Sequence, residues 1–285
     1  MSEQEIVEGY WLATNAAESK RLLVQHRYFT QALGGLLPRS IPVRQVHKIL
    51  DVGCGPGGWA LDLTRKYSHI SVTGIDNSCI AITDATRVAQ MNGVHSVTFE
   101  QMDATKPLRF ANGSFDLVHM RSASPFIQPA MWPQVITELV RVLRPGGWLV
   151  LVDYEQGPTS SAAFNRISML SMQAVRAAKL SLAPHSLTIG AAVRLYSFLL
   201  NAYLFDVSYT IHGVDFGSGN NVDAPMFIDE LLAGAANINP FLTRLGLIES
   251  EQDFDALIEK VREELTQPDA CGYAYLIAAT GRKDG

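Results

Sequence analysis

The sequence is poor in cysteine and in basic charge, and each shortage excludes a class of protein. Its 285 residues contain three cysteines, too few and too scattered for a disulfide framework or a zinc cluster, so we expect no metal site. Lys and Arg number 23 against 28 Asp and Glu, which gives a net charge of −5. That balance lacks the basic excess of a nucleic-acid-binding protein, so no nucleic-acid partner is expected.

Long apolar runs are also missing. The most apolar window, residues 191–205, is interrupted by Arg194 and Asn201 and is too short to span a bilayer, so we expect no membrane insertion. The opening Met-Ser-Glu-Gln-Glu is acidic and begins no apolar stretch, from which we expect no secretory signal and a cytoplasmic location. Hydrophobic residues nevertheless make up 47% of the chain, enough to fill a core and to exclude intrinsic disorder.

Short apolar runs alternate with helical patterns through the first half of the chain. Because parallel neighbours need crossover connections, this alternation predicts an α/β fold with a doubly wound, mostly parallel, seven-stranded Rossmann-like sheet and helical cap insertions. The predicted strands cover residues 46–52, 70–75, 97–101, 115–120, 148–154, 207–214 and 272–280. We predict a single domain over 1–285, with a core of 44–155, 206–216 and 270–283 and a helical cap of 1–43, 156–205 and 217–269.

A glycine-rich loop follows the first predicted strand. Gly53, Gly55 and Gly58 satisfy the spacing G-x-G-x-x-G between a strand and a helix, where backbone N–H groups can approach a ligand such as a dinucleotide. A tight turn without a ligand is the alternative interpretation. Pro56 removes a donor from the loop, and Asp51 adds a carboxylate that repels phosphate and attracts a cation.

Acidic residues end three successive predicted strands. Besides Asp51, Asp76 closes the second strand, where an acid commonly accepts hydrogen bonds from a ribose diol; capping of the next helix is its alternative role. Asp103 follows the third strand, and a lone acid there is most often a turn residue. The three strand ends lie along one edge of the sheet, where ligands of open α/β folds bind.

These segments resemble the class I S-adenosylmethionine-dependent methyltransferases. Residues 49–57 (Ile-Leu-Asp-Val-Gly-Cys-Gly-Pro-Gly) are similar to the first motif of that family and residues 72–76 (Val-Thr-Gly-Ile-Asp) to the second. Asp103 with residues 110–118 resembles the third and fourth motifs, and residues 143–149 resemble the lead into strand five. The resemblance covers about residues 44–155, and weakly the final strand. It implies an enzyme that uses S-adenosylmethionine as cofactor.

The resemblance also implies roles for individual residues. Gly53 and Gly55 would pack against the methionine part of the cofactor, and Asp51 would lie near its amino group. Asp76 would hold the ribose hydroxyls and Asp103 the adenine amine, with further positions beside the ring and at the methionine end. The complete predicted cofactor site consists of Asp51, Gly53, Cys54, Gly55, Asp76, Asn77, Met102, Asp103, Ala104, Met120 and Arg121.

Methyl transfer from a sulfonium depends chiefly on alignment, and it needs a general base only when the acceptor carries a proton of high pKa. The candidate catalytic residues are Tyr154 and Glu155, which follow strand five, and His119 within strand four, where a hydrogen-bonded core histidine is the alternative.

Helices predicted at the N-terminus and in 156–205 would cover the functional edge of the sheet. We therefore expect a small, partly apolar organic acceptor, methylated on oxygen, nitrogen or carbon. The alternatives are a cofactor-binding protein of the same fold with another role, or an NAD(P)-dependent oxidoreductase. The oligomeric state is left open, with a homodimer as one option.

Overall fold

The computed structural model describes residues 16–183, 185, 188–215 and 224–285, and a seven-stranded sheet runs through them. The strands are β1 (Lys48–Val52), β2 (Ser71–Asp76), β3 (Val97–Gln101), β4 (Phe115–Arg121), β5 (Leu143–Thr159), β6 (Phe205–Asp215) and β7 (Gly272–Arg282). Their spatial order is β3-β2-β1-β4-β5-β7-β6. Every neighbouring pair is parallel except those that involve β7, which runs antiparallel to β5 and β6.

Helices connect and cover these strands. In chain order they are α1 (Ala16–Ala32), α2 (Gly58–Lys66), α3 (Cys79–Met91), α4 (Trp132–Val142), α5 (Ala162–Ala177), α6 (Ala191–Asn201), α7 (Ala224–Ala236), α8 (Asn239–Arg244) and α9 (Glu251–Leu265). Short 3₁₀ turns occupy Val43–Gln45 and Pro129–Met131. Within the described ranges, no helix is long and apolar enough to cross a membrane.

The predicted doubly wound, mostly parallel, seven-stranded sheet is confirmed. Six strands begin and end within two residues of their predicted bounds, whereas β5 extends over Leu143–Thr159 instead of 148–154. The extension has a tertiary cause, because β7 pairs with β5 as far as Thr159 opposite Gly272. Some residues of the predicted core and cap lie outside the described residues: 1–15, 184, 186, 187 and 217–223 of the cap, and 216 of the core.

The apolar strand runs fill two clusters on opposite faces of the sheet. Ile49 and Leu117 belong to one cluster, together with the helical residues Trp59, Phe29 and Phe227. Their chain neighbours Leu50 and Val118 belong to the other cluster, together with Trp132 on α4. Since successive side chains in a strand point to opposite faces, a continuous apolar run serves a sheet that is covered on both sides.

The turn from β1 into α2 depends on left-handed backbone. Gly53, Gly55 and Gly57 have φ angles of 68°, 52° and 79°, which residues with a side chain adopt only at a cost. At Gly57 a Cβ atom would also lie 2.6 Å from Cζ of Phe99, so space as well as conformation requires glycine there.

Gly57→Ala should therefore destabilise the fold more than a glycine replacement that meets only the conformational penalty. Gly93→Ala is the matched control, because Gly93 has φ 63° and a Cβ at that position would meet nothing within 4 Å. We expect the free energy of unfolding of Gly57→Ala to fall by about 1–3 kcal/mol beyond that of Gly93→Ala, measured by urea denaturation. Equal losses of unfolding free energy in the two variants would show that Phe99 moves aside without an energetic cost.

Candidate functional site

The three predicted acids lie at the same edge of the sheet. Asp51 is in β1, Asp76 is the last residue of β2, and Asp103 follows the end of β3 by two residues. Because these strands are parallel neighbours, their carboxyl ends meet at one edge, beside the glycine loop between β1 and α2.

Asp76 joins the glycine loop to the end of β2. Its Oδ2 accepts a hydrogen bond from the Gly55 N–H at 2.9 Å, and its Oδ1 accepts one from the Ser78 N–H at 2.8 Å. Burial raises the pKa of Asp76, while these hydrogen bonds act in the opposite direction. Ser78, not Asp76, caps α3, since its Oγ accepts from the Ala81 N–H at 3.2 Å.

Asp103 forms a turn and keeps one oxygen available. Its Oδ1 accepts from the N–H and the Oγ1 of Thr105, at 2.8 and 2.7 Å. Oδ2 accepts no hydrogen bond from any described residue. Met102 is buried and Ala104 half-buried on either side, while Asn77 is exposed and its carbonyl accepts from Gln101 Nε2 at 2.9 Å.

Asp51 lies against His119 of the neighbouring strand β4. Their register places them opposite each other, and His119 Nδ1 is 2.8 Å from Asp51 Oδ1. Both side chains are buried, and the imidazole stacks on the indole of Trp59 from α2. Met120, the next residue, points into the opposite apolar cluster.

Arg121 ends β4 and meets a residue that the sequence did not single out. Its Nη2 donates to Nδ1 of His26 on α1 at 2.9 Å. Since Nδ1 is then an acceptor, the imidazole proton lies on Nε2, which faces Asp62 Oδ2 at 3.0 Å. Burial and then the charge of Arg121 lower the pKa of His26 to about 4, so the ring is neutral at pH 7. Burial lowers the pKa of Arg121 to about 10, and the guanidinium stays charged.

α1 packs directly over the glycine loop. A Cβ on Gly55 would lie 3.6 Å from Leu22, and a Cβ on Gly58 would lie 3.0 Å from both Leu23 and His26. Ser19 Oγ also donates to Asp84 of α3 at 2.8 Å. The helix therefore covers the glycine loop.

Tyr154 of β5 faces the same helix. Its ring centroid is 5.3 Å from that of Phe29, and beside them Tyr28 stacks on Phe227 of α7 with centroids 4.1 Å apart. Burial raises the pKa of Tyr154, which keeps the phenol protonated. The Tyr154 hydroxyl makes no hydrogen bond within the described part of the chain.

A buried charged group lies beside Tyr154, between α1 and α7. Glu230 Oε1 accepts from Arg21 and, at 2.9 Å, from Gln25, and Arg21 also binds Glu18. Glu230 Oε2 is buried and has no hydrogen-bond partner among the residues that the structure describes. Burial raises the pKa of Glu230 to about 7. Only contact between distant segments creates this group, so no local motif could have revealed it.

Glu155, a predicted catalytic residue, points away from Tyr154 and contacts a helix end. Its Oε1 accepts from the Ala192 N–H at 3.3 Å, at the start of α6. A carboxylate at that position stabilises the free N–H groups and the dipole of the helix.

Cys54 of the glycine loop is buried, and burial raises the pKa of its thiol.

Comparison with known proteins finds relatives over the part of the chain that contains the glycine loop and the three acids. Residues 49–147 match a family model described as a methyltransferase domain. A methyltransferase, str3, of Strobilurus tenacellus is 28% identical over 155 residues, which are 54% of this chain and 52% of that protein. The secondary metabolism regulator laeA of Aspergillus fumigatus is 31% identical over 150 residues, 51% of this chain and 37% of that protein. The chain thus spans about half or less of the length of these relatives.

Among solved structures, phosphoethanolamine N-methyltransferase 2 of Haemonchus contortus has a similar fold. Its complex with phosphomonomethylethanolamine and S-adenosylhomocysteine superimposes with a TM-score of 0.58 at 18% sequence identity. The superposition covers 100% of this chain and 61% of the other. The superposition shows that the two chains share a fold, and the match of residues 49–147 to the methyltransferase model agrees with the resemblance inferred from the motifs.

The position of Glu155 predicts a pH effect on stability. Because burial raises its pKa to about 7, the folded state favours the protonated form, and its contribution to stability is lost as pH rises from about 4.5 to about 7. Glu155→Gln removes this titration. Relative to the wild type, the variant should gain about 3 kcal/mol of unfolding free energy between pH 4 and pH 8, at 1.36 kcal/mol per pKa unit.

Urea denaturation at several pH values measures this difference. Glu264→Gln is the control, because the hydrogen bond from Ser161 lowers the pKa of Glu264, so that variant should show no such gain. A difference between Glu155→Gln and wild type that stays constant with pH would contradict the assignment.

Proposed function

We propose that this chain transfers a methyl group from S-adenosylmethionine to a small, partly apolar organic acceptor, on oxygen, nitrogen or carbon. Residues 49–147 match a methyltransferase domain, and the motifs within them resemble those of the class I, S-adenosylmethionine-dependent enzymes. The observation that carries the proposal is the alignment of Asp51, Asp76 and Asp103 along one sheet edge beside the glycine loop.

The adenosine half of the cofactor is assigned to β2 and β3. Each oxygen of Asp76 accepts one backbone N–H and retains a lone pair for a ribose hydroxyl. Asp103 Oδ2 is available to the adenine amine, between Met102 and Ala104. Asn77 directly follows Asp76, and Cys54 lies in the glycine loop. A dinucleotide fits less well, because the loop region offers carboxylates where a pyrophosphate needs positive charge.

The methionine half is assigned to β1 and β4. Gly53 and Gly55 keep the loop free of side chains, and Asp51 supplies a carboxylate for the ammonium group. Arg121 hydrogen-bonds only to neutral His26 among the described residues, so its charge remains available for the cofactor carboxylate. Met120 points to the far face and would contribute only backbone.

The acceptor is assigned to the space next to Tyr154. Val152 pairs with Arg121, and Tyr154 lies two residues further along β5 on the same face, toward the end where the methyl group would be presented. The aromatic pairs from α1 and α7 supply apolar contacts, and Glu230 supplies a buried acceptor oxygen. These contacts support an acceptor with an apolar body and one hydrogen-bond donor.

The predicted catalytic residues have different surroundings. Tyr154 faces the proposed acceptor space as a neutral hydrogen-bond donor. Glu230, which the sequence did not indicate, has a pKa near 7 that suits a general base. His119 and Glu155 are engaged by Asp51 and by α6, so we assign them no direct part in proton transfer.

Cofactor binding can be tested without knowing the acceptor. Calorimetric titration should detect S-adenosylmethionine and S-adenosylhomocysteine, and Asp76→Ala should weaken both by about 1–3 kcal/mol, the cost of unpaired polar groups. Asp255→Ala, on the exposed surface of α9, should bind as the wild type does. If neither sulfur ligand binds the wild type, the cofactor is wrongly assigned, and binding of NAD would favour the oxidoreductase alternative.

Acceptor chemistry is tested with a labelled methyl group and a panel of phenols, amines and activated carbon acids. For any acceptor found, Tyr154→Phe and Glu230→Gln should each lower kcat/KM about tenfold or more, with S-adenosylhomocysteine affinity unchanged. Tyr209→Phe, in a half-exposed ring of β6, is the matched control. Tight cofactor binding without turnover of any acceptor would favour a cofactor-binding protein with another role.

A further inference from the structure

Two side chains from two elements, His119 of β4 and Trp59 of α2, fix the position of the Asp51 carboxylate beside the glycine loop. The ring of His119 is parallel to the indole of Trp59, with centroids 3.8 Å apart and an interplanar angle of 6°. Trp59 is itself fixed, because its Nε1 donates to the carbonyl of Leu36 at 2.8 Å. At the edge of the ring, His119 Nδ1 lies 2.8 Å from Asp51 Oδ1. The imidazole is therefore held in one plane and one position.

The protonation state of His119 follows from these contacts. Burial lowers its pKa, so the ring is neutral at pH 7 and carries a single N–H. Since Asp51 only accepts hydrogen bonds when ionised, that proton lies on Nδ1 and points at Oδ1. A neutral donor orients the carboxylate and leaves its negative charge intact. A buried Lys or Arg at the same position would cancel that charge.

The second oxygen of Asp51 is the one left for a ligand. Oδ2 accepts no hydrogen bond from any residue in the described ranges, although Asp51 as a whole is only 3% exposed. Asp51 is opposite His119 in the β1–β4 register and precedes Gly53 by two residues, so its carboxylate lies at the start of the glycine loop.

We propose that His119 is a positioning residue that presents Asp51 Oδ2 to the ammonium group of the cofactor's methionine moiety. The inference rests on the proposed function, in which Asp51 binds that ammonium group. A carboxylate already held in its binding rotamer loses less conformational entropy when the cation arrives, so affinity gains from its rigidity. Trp59 contributes by restricting the imidazole ring.

The proposal predicts different changes in affinity for two ligands that share an adenosine part. S-adenosylhomocysteine contains the ammonium and carboxylate groups, whereas 5′-methylthioadenosine lacks both. His119→Leu removes the donor to Asp51 and should weaken S-adenosylhomocysteine roughly tenfold, with the affinity for 5′-methylthioadenosine unchanged. His119→Asn offers a side-chain N–H at a similar position and should restore most of the loss. Asp51→Asn is the benchmark for complete loss of the ammonium contact.

Titration calorimetry of both ligands against each variant gives the ratio of the S-adenosylhomocysteine affinity to the 5′-methylthioadenosine affinity. Trp59→Phe provides a second test if His119→Leu does not fold. Trp59→Phe keeps an aromatic face on the imidazole and should reduce the ratio less than His119→Leu. Equal weakening of both ligands would overturn the proposal, because it would assign His119 to general stability.

An unchanged ratio in His119→Leu with slower methyl transfer would also overturn the proposal, and would return His119 to the role of a base. If wild-type protein binds neither ligand, the proposed function itself fails and this inference with it. If the wild type binds S-adenosylhomocysteine and the affinity ratio is unchanged in the variants, only the positioning role of His119 fails. That result is distinguishable from failure of the proposed function.

Discussion

The parallel register of β1 with β2 and β4 is the constraint on which the site depends. It sets Asp51 between Gly74 on one side and His119 on the other. Gly74 has to lack a side chain, because a Cβ there would lie 2.7 Å from Phe99 and 3.0 Å from Cys54 Sγ. A shift of one residue would turn Asp51 to the opposite face, toward the cluster that contains Trp132.

The acids of the edge are stabilised in a way that preserves their negative charge. Asp76 is bound by backbone N–H groups, Asp103 by Thr105 and Asp51 by a neutral imidazole, and none of these donors is a cation. Burying carboxylates in this way is costly unless hydrogen bonds compensate, and here they do. The same arrangement favours a cationic ligand, and S-adenosylmethionine carries its positive sulfonium and ammonium groups at the end assigned to Asp51.

Helix α1 links the two halves of the proposed active site. Leu22 and His26 lie over the glycine loop, and His26 also contacts Arg121. Arg21 contacts Glu230, and Phe29 contacts Tyr154. Residues three and four apart share a helix face, so one helix can serve the cofactor side and the acceptor side together. Packing of α1 against α7 places the proposed acceptor space under two helices, which supports the proposal of a small acceptor.

The strand pattern, the glycine loop and the order of the acids could be predicted from the sequence because they depend on neighbouring residues. Apolar runs identify buried parallel strands, and the positions of Asp51, Asp76 and Asp103 after them place the acids at one edge. The length of β5 could not be predicted in this way, since only its pairing with β7 carries it to Thr159.

The directions of the side chains were decided by the tertiary structure. Tyr154 and Glu155 are adjacent in the sequence, yet one faces α1 and the other caps α6, because successive strand residues point to opposite faces. His26 and Glu230 are distant in sequence from the residues they meet, and no local pattern marks them. The sequence by itself therefore determined the fold and the acidic edge of the sheet, whereas only the packing of distant helices decided which side chains surround the proposed acceptor space.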